Sequence, residues 1–113
     1  MKKHEMKLLK EPFEEMRSGR KTVEMRLFDE KRQGIAAGDT VFFTCAAFPK
    51  EKLCRKVRGV YIYEDFLSLA ESFPAEKLGF AGASADYIAE YMNRIYPEEE
   101  RKKHGTAAIE LEF

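Results

Sequence analysis

Apolar residues recur along this chain with two spacings, which together predict strands and helices. Strict alternation with polar residues predicts a strand, because successive side chains of a strand point to opposite faces. A repeat of three to four residues predicts an amphipathic helix. The predicted strands cover residues 4–9, 22–28, 40–46 and 53–63, with a last strand behind Gly105. The predicted helices cover residues 11–18, a segment capped by Asp65 and the segment between Ser84 and Pro97, while residues 29–37 form a loop or a single helical turn.

Local patterns refine these elements. Residues 40–46 are almost continuously apolar, which predicts a strand covered on both faces. The inward positions of the long fourth strand change parity at Gly59, so we expect a bulge there. In the last strand the alternation places Phe113 inward. The helix after Ser84 carries one apolar stripe that we interpret as core packing, namely Tyr87, Ile88, Tyr91, Met92 and Ile95.

Charge then limits the classes of function. The chain has 113 residues, with 20 basic and 20 acidic side chains that cancel. A globally cationic nucleic-acid binder is therefore excluded, and any site for a polyanion is a local patch. Residues 17–33 offer such a patch, with six basic and three acidic side chains, six minus three, for a net charge of +3. The acidic run Glu98–Glu100 is interpreted as a solvated turn.

The remaining composition argues for an ordinary cytoplasmic protein. Cys45 and Cys54 form no metal-binding motif, and we expect both to be reduced thiols in or near the core. His4 and His104 lie near opposite ends of the chain and are expected at the surface. The first residues are basic but lack the apolar run of a signal peptide, and no segment reaches transmembrane length. We expect neither a metal nor a cofactor.

The segment Ser18–Leu27 differs most from a generic globular sequence. Its apolar residues at positions 23, 25 and 27 share one strand face, and Glu24 and Arg26 share the other. Lys21 precedes them, directly after a glycine turn. This charged group fits a site for a polar, anionic ligand, and it fits an ordinary surface salt-bridge cluster equally well.

The assembled motifs resemble the ASCH family, a PUA-like group of small β-barrels. The resemblance covers nearly the whole chain and rests on a proline-led first helix, the stretches Gly19–Arg26 and Gly38–Phe43, the segment Tyr63–Phe66 and a final strand after Gly105. It implies an α+β fold, a small PUA-like β-barrel of about five to six strands with helices inserted and packed at one side. Residues 1–113 would form a single domain.

The resemblance also implies a function, the binding of RNA or a nucleotide in a cleft beside the barrel. Lysine and arginine side chains would contact phosphates or ring acceptors, a carboxylate would accept from an exocyclic amine or a ribose hydroxyl, and an aromatic ring would stack on a base. A protein partner is possible, and no membrane is involved. The candidate ligand-binding residues are Arg20, Lys21, Glu24, Arg26, Lys31, Arg32, Tyr63 and Tyr96.

Two other functions stay open. Some relatives are amidohydrolases that deacylate acetylated cytidine, in which the lysine of this motif activates a threonine three residues later. Lys21 matches that lysine, but Glu24 occupies the threonine position, and Glu71 and Glu76 are only candidates for an assisting glutamate. If this chain is an enzyme, Lys21 and Glu24 would be its catalytic residues, acting on water. The third function is an adaptor domain whose charged cluster is structural.

Overall fold

A curled five-stranded sheet with five helices alongside it forms the structure, a computed structural model that describes residues 1–113. The strands are β1 (Lys3–Lys7), β2 (Val23–Leu27), β3 (Thr40–Thr44), β4 (Leu53–Tyr63) and β5 (Thr106–Leu111). The helices are α1 (Lys10–Arg17), α2 (Glu30–Gln33), α3 (Phe66–Glu71), α4 (Ala85–Ile95) and α5 (Glu98–His104). The predicted α+β, PUA-like fold is confirmed, and the sheet is a half-barrel.

The order of strands in the sheet is β1-β3-β4-β5-β2, so β1 and β2 are its two edges. Strands β1 and β3 pair in parallel, and all other neighbours pair antiparallel. The curl brings the edges close to each other, and the Nη2 atom of Arg26 on β2 donates to the carbonyl of Lys7 on β1 at 2.8 Å. A side chain therefore bridges the seam where the half-barrel stays open.

The expected bulge at Gly59 is confirmed. Val57 pairs with Leu111, but Gly59 pairs with Glu110, so β4 contains one extra residue at this point. The extra residue changes the parity of the inward positions, and Val57 and Val60 consequently pack in the same core cluster.

Two apolar clusters lie on opposite faces of the sheet. The first lies beneath α1 and includes Phe13, Met16 and Phe43. The second packs α3 and α4 against β2 and β5 and includes Phe66 and Ile88. Strand β5 contributes to both clusters and is covered on both faces, so it connects the two parts of the core.

Strand β3 does not have the two covered faces that its sequence predicts. Val41 and Phe43 are buried, whereas Thr40, Phe42 and Thr44 are only partly covered. No helix packs on the outer face of this strand, and the ammonium group of Lys52 lies over the Phe42 ring at 5.5 Å instead. The apolar run therefore reflects an aromatic residue at the surface rather than a second core.

Three other expectations are wrong at the surface. Phe113 follows the last strand and is 77% exposed, because the ladder of β5 ends before it. Cys54 is exposed on β4, while Cys45 is buried as expected. Glu98–Glu100 begin helix α5 and do not form a loop between elements. Acidic residues at the start of this helix and basic residues at its end complement the helix dipole. No helix of the structure has the length and apolarity needed to cross a bilayer.

Asp39 connects β1 to the turn that precedes β3. Its Oδ1 atom accepts from the backbone N–H of Lys2 at 3.0 Å, and its Oδ2 atom accepts from the N–H of Ala36 at 3.0 Å and lies 2.9 Å from His4 Nε2. The hydrogen bond from Lys2, then those from His4 and Ala36, hold the pKa of Asp39 well below its usual range.

We predict that Asp39→Asn lowers stability at pH 7 and that this loss shrinks in acid. A carboxyl whose pKa is lowered by folding stabilises the protein fully when the pH is above the pKa of the unfolded state, about 3.9. This stabilisation is lost as the pH falls toward and through the lower pKa of the folded state. Denaturant unfolding of the wild type and the Asp39→Asn variant at pH 7 and pH 2.5 measures the loss of stability at each pH. Glu64→Gln, at an exposed carboxyl without a bonded partner, is the control. An equal loss at both pH values contradicts the prediction.

Candidate functional site

A cavity of about 370 Å³ opens beside the seam between β1 and β2. It lies between the end of β1, strand β2, the turn at residues 78–80 and helix α4. Charged side chains that are buried or partly buried form its floor, and aromatic side chains of α4 and the turn form its wall. The floor consists of Lys21, Glu24 and Arg26, which we call the charged floor.

Glu24 is the centre of the charged floor. Its Oε1 atom lies 3.1 Å from Lys21 Nζ and accepts from the backbone N–H of Met25 at 3.0 Å. Its Oε2 atom accepts from Arg26 Nε at 3.0 Å and lies 2.9 Å from Arg26 Nη2. A carboxylate offers about four acceptor positions, and all four are therefore used within the protein.

The protonation state of Glu24 follows from two opposed effects. Burial would raise its pKa, but the charges and hydrogen bonds of Lys21 and Arg26 outweigh burial and hold the pKa below the ordinary value. Glu24 is therefore ionised at neutral pH, and the charged floor has two positive charges and one negative charge, a net charge of +1.

The unused hydrogen-bonding capacity of the charged floor consists of donors. Lys21 Nζ has three N–H groups and two partners, Glu24 and the carbonyl of Leu78 at 3.1 Å. Arg26 uses Nε and Nη2 on Glu24 and Lys7, which leaves both N–H groups of Nη1 without a protein partner. A ligand that reaches the charged floor consequently meets N–H donors and no free oxygen of Glu24.

The turn at residues 78–80 positions Lys21. It is held to the start of β2 by the carbonyl of Lys77, which accepts from the N–H groups of Thr22 at 2.9 Å and Val23 at 3.0 Å. Gly79 adopts φ +88°, which L-residues rarely do, and a Cβ atom there would lie 3.0 Å from Lys21 Cδ. The absence of a side chain at Gly79 lets the turn cover the Lys21 stem closely.

Helix α4 supplies most of the aromatic wall. The Oγ atom of Ser84 caps the helix by accepting from the N–H of Tyr87 at 3.1 Å, as the sequence predicted. Tyr87 lies at the cavity mouth and is 51% exposed, while the Tyr91 ring packs edge-on against Phe80 with centroids 5.1 Å apart. The Tyr96 ring stacks on Phe66 at 5.7 Å, and burial raises the pKa of its phenol.

The α4 stripe is therefore core packing only in part. Ile88 and Met92 are buried, but Tyr87 and Ile95 are about half exposed, and the exposed members line the cavity. The sequence contained one signal that part of this stripe is exposed, namely tyrosine at two of its positions. Tyrosine has an apolar body and a polar tip, which suit a surface that is partly in contact with water.

The structure brings only some of the sequence candidates together. Those that line the cavity are Lys21, Glu24, Arg26 and Tyr96. The other candidates lie outside it. Arg20 pairs with Glu15 at the surface, and Arg32 pairs with Asp29 at 3.2 Å.

Two more candidate positions are also separate from the cavity. Tyr63 packs edge-on against Phe73 with centroids 6.4 Å apart, and Lys31 lines a second depression on the outer face of the sheet. Glu71 and Glu76, the candidates for an assisting glutamate, are exposed and do not line the cavity. No three His, Cys, Asp or Glu side chains form a group that could hold a metal ion.

A curled half-barrel with helices beside it and a cavity at its open seam defines a PUA-like domain. Within that class, a family profile described as the ASCH domain matches residues 6–113, and the chain belongs to the ASCH family.

Two solved structures are similar over almost the whole chain. The hypothetical protein PH0355 is 34% identical, with a TM-score of 0.85 over 99% of this chain and 98% of that one. The protein PF0455 from Pyrococcus furiosus is 31% identical, with a TM-score of 0.75 over 99% and 96% of the two chains. Neither name states a function, and no curated protein matches the sequence.

We predict that Glu24→Gln destabilises the fold by about 3–5 kcal/mol, because it leaves buried Lys21 and partly buried Arg26 without their counter-charge. The exposed pair of Arg17 and Glu51 offers a matched control, since that carboxylate also accepts twice from one guanidinium, at 2.8 and 2.9 Å. Glu51→Gln should cost at most about 1 kcal/mol. Denaturant unfolding measures both, and equal costs for the two variants contradict the buried role of Glu24.

We also predict that Gly79→Ala costs more stability than Gly82→Ala. Gly82 has a similar φ of +82°, but nothing lies within 4 Å of the position that a Cβ atom would take there, so it reports backbone strain alone. That strain is worth about 1–2 kcal/mol. The excess loss at Gly79 measures its contact with the Lys21 stem. Equal unfolding free energies of the two variants would show that Lys21 adjusts freely.

Proposed function

We propose that this ASCH domain binds RNA or a nucleotide, with one nucleotide unit held in the cavity. The observation that carries the proposal is the combination, on one cavity, of N–H donors of the charged floor that have no protein partner and an aromatic wall beside them. Nucleobases and nucleotides present hydrogen-bond acceptors at their edges or phosphates, and a flat apolar face for stacking.

The size of the cavity supports a unit of this kind. Small-molecule sites in proteins have volumes of roughly 300–1,000 Å³, and the cavity of about 370 Å³ is at the lower end of this range. A single nucleotide unit matches this volume, whereas a duplex does not. RNA would therefore enter as an unpaired strand. Two cysteines without a disulfide favour the cytoplasm, where such ligands are found.

The charged floor assigns distinct roles to its members. Lys21 and the Nη1 atom of Arg26 donate to acceptors on the ligand, while Glu24 is the shared counter-charge that holds both cations in place. Glu24 therefore orients the donors, in contrast to the sequence-based role in which it accepts from an amine or a hydroxyl. Tyr87 supplies an accessible ring for stacking, and Tyr96 has one face covered by Phe66.

The state of Glu24 favours binding over hydrolysis. A general base needs a pKa near the working pH and a free lone pair aimed at the proton that it takes. Burial acts to raise the pKa of Glu24, but Lys21 and Arg26 lower it further than burial raises it, and all its acceptor positions are used. We therefore do not assign it the activation of water.

We predict that Tyr87→Ala weakens binding of a nucleoside monophosphate about tenfold, because stacking on an aromatic ring is worth about 1–3 kcal/mol per base. Titration of the four common ribonucleoside monophosphates, followed by backbone amide shifts, measures the affinity. Tyr61→Ala is the matched control, since Tyr61 is 43% exposed on β4 and lies outside the cavity.

The same titration tests the charged floor without removing a buried charge. Gly79→Ala displaces the Lys21 stem and should weaken binding, whereas Gly82→Ala should leave it unchanged. If none of the four nucleotides shifts the amides of the cavity, or if both tyrosine variants bind like the wild type, the proposal is wrong.

A further inference from the structure

We propose that the second depression is a phosphate-binding surface for the RNA strand that continues out of the cavity. We call it the outer basic patch, and it lies where β1 and β3 meet the loop before β4. The inference rests on the proposed function and extends it from one nucleotide unit to an oligonucleotide. The patch is lined by Lys3, His4, Glu5, Lys31, Phe42 and Lys52.

The charge of the outer basic patch stands out on a protein whose total charge is zero. It has three lysines against one glutamate, three minus one, for a net charge of +2 with His4 neutral. His4 is engaged by Asp39, so the lysines are the groups available to a ligand. Lys52 and Glu5 are 3.9 Å apart and both more than half exposed, which makes their pairing weak.

The patch also has an apolar component. Phe42 lies partly uncovered on the outer face of β3, and the ammonium group of Lys52 is placed over its ring. A ring and cations on an open strand surface are the combination that proteins use for single-stranded nucleic acid, where bases stack and phosphates are neutralised. An acidic peptide would use the lysines but not the partly exposed ring.

Strand β1 connects the patch to the cavity. Lys3, Glu5 and Lys7 are exposed on the same outer face of β1, because residues two apart share a face. Lys3 and Glu5 line the outer basic patch, while Lys7 lines the cavity. The distance from Lys3 to Lys7 is about 13 Å at the usual strand rise. A stacked strand spans that distance with about four nucleotides at about 3.4 Å each.

The salt dependence of binding tests this inference. Each phosphate neutralised on a single strand contributes a slope of about −0.7 in log K against log salt. We predict that Lys31→Gln/Lys52→Gln makes the slope for a labelled single-stranded octaribonucleotide shallower by about 1.4. Neither residue lies on β1 or in the cavity, so binding of a nucleoside monophosphate should be unchanged. Lys102→Gln/Lys103→Gln on α5 removes the same charge elsewhere and should leave the slope as it is.

The outcomes separate this inference from the cavity proposal. Loss of slope in the patch variant alone, with binding still sensitive to Tyr87→Ala, supports the patch as the continuation of the cavity. The same loss of slope when Tyr87→Ala has no effect shows phosphate binding that is independent of the cavity, and it overturns the continuous path. If the slope of the patch variant is unchanged while binding is still sensitive to Tyr87→Ala, the proposal for the patch is wrong and the proposal for the cavity stands. Equal slope changes in the patch variant and in the α5 control show a general charge effect and also overturn the patch. An octanucleotide that binds no more tightly than a mononucleotide overturns it as well.

Discussion

The buried carboxylate of Glu24 between two cations is the interaction on which the candidate site depends. Removing a charge from water costs several kcal/mol, and the charged floor contains three charges that are largely withdrawn from solvent. This cost is offset only because Lys21, Arg26 and the backbone of Met25 fill every acceptor position of Glu24. Well-packed apolar residues would stabilise the seam at least as well. Stability alone therefore gives no reason for this cluster, whereas the proposed ligand would.

The same cluster explains why a cavity exists at this position. Strands β1 and β2 are the edges of the sheet, and a half-barrel exposes unpaired backbone groups along both edges. Arg26 satisfies one of them, the carbonyl of Lys7, without bringing the strands into register. The seam stays open where the Arg26 side chain bridges it, and α4 and the turn at residues 78–80 enclose the space beside it. The site is thus the unclosed part of the barrel.

The sequence predicts those parts of this arrangement that depend on local spacing of residues, but not the contacts between distant segments. Alternation placed Glu24 and Arg26 on one face of β2, and the parity change at Gly59 located the bulge in β4. It could not show that the carbonyl of Leu78, 57 residues along the chain, would hold Lys21, because that contact depends on how the turn docks. The exposed half of the α4 stripe was missed for a related reason. Periodicity shows that a face is apolar but not whether another element covers it.

The two proposed surfaces would contribute differently to binding. The cavity would provide selectivity, and the outer basic patch would provide the electrostatic attraction that a chain without net charge otherwise lacks. Donors held by the charged floor and an aromatic wall have fixed positions and can discriminate between bases. Exposed lysines add affinity that depends on salt and carries little sequence information. The charged floor has a net charge of only +1, so it attracts a phosphate weakly. Its main contribution to recognition is to orient hydrogen bonds. Long-range attraction must then come from elsewhere on the surface, and β1 is the one strand that contributes side chains to both the cavity and the outer basic patch.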